Sequence, residues 1–103
     1  MYKFSFFVPL AFSDKVKQAV FDAGAGRLGD YAECSWETLG TGQFKPLENS
    51  QPFIGKQKHL ERVQELKVEM VCEEECIRTV IDAFKQAHPY EEPAYEVIKL
   101  ERF

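Results

Sequence analysis

Tyr2, Phe4, Phe6 and Val8 recur at every second position, so Tyr2–Val8 reads as a strand with one buried face. Phe7 puts an aromatic ring on the other face too, which predicts a central place in a sheet. Pro9 stops the alternation. From Ser13 the period changes: Val16, Ala19, Val20 and Ala23 fall at helical spacing, with Ser13 suited to the N-cap and Asp14 to the first turn. Gly24 ends this helix. In Tyr31–Thr38, Ala32, Cys34 and Trp36 share one face against Glu33, Ser35 and Glu37, which predicts a second strand with a solvated side. Gly40-Thr41-Gly42 is expected to break or bulge it, and Gln43–Pro46 to extend it briefly.

The second half repeats the same logic. Leu47–Gly55 is polar and irregular, and its Phe53-Ile54 pair is expected to anchor it or dock on a neighbour. Glu61–Cys72 alternates, with Leu66, Val68, Met70 and Cys72 inward and Glu65, Lys67 and Glu69 outward. Glu73-Glu74-Glu75 suits a helix N-terminus, and Cys76, Ile77, Val80, Ile81 and Phe84 form a buried stripe behind it. Pro89 and Pro93 exclude helix from His88–Tyr95 and make it a stiff link into a last strand, Tyr95–Leu100. The succession βαββαβ predicts a ferredoxin-like α+β fold, an antiparallel sheet with two helices on one face, in one domain over 1–103. Phe7, Val71, Val97 and either Trp36 or Tyr31 are expected on the uncovered face, where a second subunit would bury them.

Composition narrows the partners. Nine Phe, four Tyr and one Trp in 103 residues predict an aromatic core or interface. A net charge of −4 points away from nucleic acid, which needs a dense Lys/Arg footprint. No apolar run approaches the ~20 residues of a membrane span. Three cysteines without a secretory signal predict reduced thiols and a cytoplasmic location.

Three stretches carry candidate chemistry. Gly24–Gly29 spells G-x-G-x-x-G, but a helix precedes it and an extended segment follows. The order is wrong for a dinucleotide fingerprint and right for a turn with positive φ, leaving Arg27 and nearby amides as a candidate anion site. Cys72-x-x-x-Cys76 has no second cysteine pair, and Cys34 faces inward, so all three read as structural thiols. His88, Glu91 and Glu92 are the best ligand set for a divalent metal, with His59 or Cys34 as outside donors. Tyr90 and Tyr95 join them as ligand-binding candidates. The structural alternative has Glu91 and Glu92 pinning the turn through backbone amides while His88 caps the preceding helix.

Together, Gly24–Tyr31, Gly40–Pro46, Pro52–Gly55 and His88–Tyr95 resemble the domain inserted in Nif-three-like proteins, named for the NGG-one-interacting factor and often labelled as a cyclohydrolase type. That domain is similar in fold to the PII signalling proteins and to the CutA divalent-cation-tolerance family, whose members carry a comparable His-Pro-Tyr-Glu element. The resemblance implies a stand-alone version of the domain, working as a non-catalytic oligomeric module that binds a small ligand or protein. It implies a homo-oligomer, with a trimer first and a dimer second. The alternative it leaves is a divalent-metal-binding protein or metal-dependent hydrolase with a site formed between subunits. The dinuclear-metal halves of the longer proteins have no counterpart in these residues, which points away from catalysis.

Overall fold

The computed structural model describes residues 1–103. Strand β1 (Tyr2–Pro9) leads through a 3-10 turn (Leu10–Phe12) into helix α1 (Ser13–Asp22). Strands β2 (Trp36–Phe44) and β3 (Glu61–Cys72), helix α2 (Ile77–Ala87) and strand β4 (Tyr95–Lys99) follow. The sheet order is β2-β3-β1-β4, antiparallel at every step, with β1 and β3 central. This is the ferredoxin-like α+β arrangement.

The register decides which side chains meet the helices. Phe4 pairs with Met70 and Val97, and Phe6 with Val68 and Tyr95, so these point to one face. Val16 and Val20 of α1 and Ile77, Val80 and Phe84 of α2 close over them. Phe84 is fully buried, its ring 5.4 Å from Phe4, 5.0 Å from Phe6 and 5.4 Å from Tyr95. Each such ring contributes roughly 1.5–3 kcal/mol by leaving water.

Several expectations are corrected. Val97 packs on the helix side because it pairs with Phe4; the apolar residue β4 offers to the open face is Ile98, opposite Lys3. Strand β2 begins at Trp36, so Tyr31–Ser35 lies outside it, and it runs unbroken through Gly40 and Gly42 to Phe44. Ser13 is the first residue of α1 and not its cap: Phe12 holds the cap position, and Ser13 Oγ donates back to the Leu10 carbonyl at 3.0 Å. Gly24–Gly29 forms the expected turn, with Gly24 and Gly26 at φ +114° and +78°. The Gly26 amide donates to Val71 O at 2.8 Å, and its carbonyl accepts from Cys34 N at 2.8 Å, tying the turn to β3 and to the segment before β2.

The open face is not a plain apolar patch. Lys3 pairs with Glu69 at 2.7 Å, and the Lys67 ammonium lies 5.9 Å from the Phe7 ring centroid. Apolar surface is displaced to the edges, at Trp36 and Ile98. Truncating Phe84 to Ala should therefore lower unfolding stability in urea by about 3–5 kcal/mol, whereas Ile98→Ala should stay within about 0.5 kcal/mol in dilute protein. Equal losses would contradict this division between core and face.

Candidate functional site

The link from α2 to β4 is held by one imidazole. Tyr90 N–H donates to His88 Nδ1 at 3.0 Å, which leaves the proton on Nε2, and Nε2 donates to the Phe7 carbonyl at 2.7 Å. Phe7 lies just beyond the last β1–β4 pair, Phe6 with Tyr95, so the ring supplies a donor where strand pairing stops. The Phe7 amide completes the join by donating to Ala94 O at 3.3 Å. His88 thus anchors to the neighbouring strand; its ring does not cap the helix. Burial holds its pKa below the usual histidine range, against opposing pulls from the Phe7 carbonyl and the Glu65 carboxylate.

With His88 fixed, the next residues are aimed. Tyr90 reaches over β1 and donates its hydroxyl to Glu65 Oε2 at 2.8 Å. Burial and the Glu65 contact together raise the Tyr90 phenol's pKa well above its ordinary value. Glu91 Oε1 accepts from the Gln51 amide at 3.1 Å and so ties the link to the long loop between β2 and β3. That loop is secured elsewhere by Gln57 Nε2 donating to Ser50 O at 2.9 Å, and by Phe53 packing edge-on against Phe12 at 5.3 Å. The Phe53 contact is therefore within the chain.

Link and loop together roof one end of the open sheet face. Between them lies a cleft of about 420 Å³ whose floor is Phe7, Gly42, Phe44 and Glu65. Its walls include Pro46, Pro52, Phe53 and Ile54 from the loop, and Tyr90, Glu91 and Glu92 from the link. Gly42 makes room here: a Cβ at that position would push the Glu65 carboxylate aside.

Of the sequence-derived candidates, Tyr90, Glu91 and Glu92 converge on this cleft. His88 supports it from behind, buried at 6% exposure with both ring nitrogens engaged by backbone. Tyr95 packs on Phe4 and Phe84, with the Lys85 ammonium 5.5 Å from its ring centroid. Arg27 lines a separate shallow depression with Gln18, Asp22 and Glu33. His88, Glu91 and Glu92 do not form a ligand cluster, and no three His, Cys, Asp or Glu side chains are gathered to hold a metal ion. The cysteines are unpaired, and burial pushes the Cys72 thiol up to about 11. No helix is long and apolar enough to cross a membrane. Sequence reasoning missed Phe7, Gly42, Phe44 and Glu65 as one floor, because three strands contribute to it.

No protein-family model matches the chain. It is 47% identical over 100 residues to a protein of Halalkalibacterium halodurans named GTP cyclohydrolase 1 type 2 homolog, covering 97% of this chain and 27% of that protein. A Bacillus cereus protein related to NIF3 superposes with a TM-score of 0.83 at 40% identity, over 98% of this chain and 26% of the other. The divalent cation tolerance protein CutA of Archaeoglobus fulgidus matches the whole chain and 87% of its own length, with a TM-score of 0.69 at 18% identity. GlnK of Bacillus subtilis matches 96% of the chain and 83% of its own, with a TM-score of 0.55 at 18% identity. Fold and comparisons together define a PII/CutA-like α+β domain. More particularly, the chain is homologous to a segment of Nif-three-related proteins, and it spans about a quarter of the length of the curated relatives it matches.

Because the folded state holds His88 neutral, an acidic medium favours the unfolded chain, where the imidazole titrates near its ordinary ~6.5. This contribution to stability is complete above that value and is lost as pH falls from ~6.5 toward the depressed folded pKa. Urea unfolding followed between pH 7.5 and 5 should show stability falling with a slope of at most about 1.4 kcal/mol per pH unit from this group. His88→Gln should be less stable at neutral pH and should lose that part of the slope. A wild type that gains stability on acidification through this range would contradict the buried neutral ring.

Proposed function

We propose that this chain is a non-catalytic module that assembles with copies of itself and holds a small ligand or a partner segment in the cleft. The observation that carries the reading is the cleft itself: a concave, largely apolar site with a few convergent polar groups, held by the His88, Tyr90 and Glu91 contacts. His88 supports a structural role, since neither ring nitrogen is free to ligate a metal or move a proton without undoing the link. The cyclohydrolase name belongs to relatives in which this segment is about a quarter of the length. A metal-dependent hydrolase site between subunits would have to recruit Glu91 and Glu92 with groups from a second chain.

Self-association is supported by β2. It is an edge strand, nearly every residue of which is exposed, and Glu37 is its one charged side chain. Trp36 and Leu39 stand 68% and 58% exposed on it. Such an edge offers unpaired amides and carbonyls to another chain. Closed symmetry is the usual outcome; the resemblance to PII and CutA proteins makes a trimer the first expectation and a dimer the second.

Light scattering at tens of micromolar should report about three times the 11.9 kDa chain mass. Leu39→Lys should shift the population toward the monomer with the fold retained by circular dichroism. A strictly monomeric wild type would end the assembly claim. Nucleotide hydrolysis assayed with added zinc, manganese, copper or iron should show no metal-dependent turnover. Turnover abolished by paired Glu91→Gln and Glu92→Gln substitutions would replace this reading with the hydrolase.

A further inference from the structure

Glu65 is the unusual residue of the cleft. It is 9% exposed, yet none of the ion pairs of the chain includes it. Its Oε2 accepts the Tyr90 hydroxyl, while its Oε1 receives no donor from the chain. The carboxylate nevertheless lines the cleft, packed over Gly42. Water can serve such an oxygen while the cleft is open. A ligand that displaces the water without offering a donor would leave a buried anion half-partnered, and that is heavily penalised.

The surroundings favour one kind of donor. Phe7, Phe44 and Tyr90 present aromatic rings to the same space, and aromatic faces attract cations. Among the charged residues lining the cleft, Glu65, Glu91 and Glu92 outnumber the one cation, Lys45, whose side chain is exposed. An anionic ligand would face three carboxylates. A neutral donor would give Glu65 Oε1 a hydrogen bond, as the Tyr90 hydroxyl does for Oε2, and leave the negative charge uncancelled.

We propose that the cleft takes a small organic cation: a protonated amine on a compact apolar body, its N–H donated to Glu65 Oε1 and its apolar part against Phe7 and Phe44. The volume of about 420 Å³ lies at the small end of the range for ligand sites. The assignment rests on the ligand-binding reading above and names its chemical class. Gly42 acquires a reason in the same picture, because any side chain there would displace the carboxylate that recognises the amine.

Three probes of one shape and different charge test it on the full chain: 2-phenylethylammonium, 2-phenylethanol and 3-phenylpropionate. Each is titrated while the amide resonances of Gly42, Gln51 and Tyr90 are followed by NMR. The ammonium should bind about tenfold or more tightly than the alcohol, and the carboxylate most weakly. Glu65→Gln, which keeps an acceptor for Tyr90, should reduce the ammonium's advantage to about threefold or less while binding of the alcohol persists. If that variant does not fold, the charge order in the wild type decides alone. The proposal is overturned if the alcohol or carboxylate binds as well as the ammonium, or if the preference survives in Glu65→Gln. Neutral binding without charge preference would leave the ligand-binding reading standing and remove only the cation. No response to any probe at millimolar concentration would remove both.

Discussion

The hydrogen bond from His88 Nε2 to the Phe7 carbonyl is the constraint on which the rest of the upper sheet depends. An edge where strand pairing stops leaves backbone groups in need of partners. At Phe7 the chain meets that need with an imidazole, and the tautomer follows from the Tyr90 amide on the other nitrogen. One ring therefore sets the exit of α2, the entry of β4 and the direction of Tyr90. Replacing it by an apolar ring of similar size would preserve the contact with Phe84, at 5.3 Å, and lose the donor. That separates the packing role of the residue from its directional one.

From this anchor the cleft is built outward by groups that each have a second duty. Tyr90 joins the link to β3 through Glu65, and its ring lies 5.8 Å from Phe44 on β2. Glu91 joins the link to the long loop through the Gln51 amide. Phe53 joins that loop to the 3-10 turn after β1. Strand, link, loop and turn thus close a ring of contacts around the cleft. The walls of the cleft and the long loop therefore share the same contacts.

Much of the fold was legible because alternation and helical spacing report burial directly. Leu66, Val68, Met70 and Cys72 point as expected because half-buried strands must bury every second residue. Val97 was misplaced because β4 carries apolar residues on both faces, at Tyr95, Val97 and Ile98, and only register with Phe4 separates them. Gly40 and Gly42 suggested a break because glycine weakens strands in general. Here β3 pairs with every residue of the strand, and Gly42 answers to a neighbour on another strand. The site was half legible. Tyr90, Glu91 and Glu92 stand together in sequence, whereas Glu65 reads there as one more solvent-facing carboxylate among Glu61, Glu65 and Glu69.

What distinguishes Glu65 from those two is geometry that local pattern does not record. Glu69 faces the same side of the same strand, but Lys3 at 2.7 Å neutralises it and, with Lys67 nearby, holds its pKa below the usual carboxylate range. That carboxylate is served by the chain itself and has no need of a ligand. Glu65, four residues earlier, meets a phenol in place of an ammonium and lies beneath a roof that Glu69 lacks. A phenol hydroxyl supplies one hydrogen bond and leaves the negative charge uncancelled. The same alternation that puts both acids on the open face thus yields one internal ion pair and one charge awaiting a partner, and the difference is made by where His88 directs Tyr90.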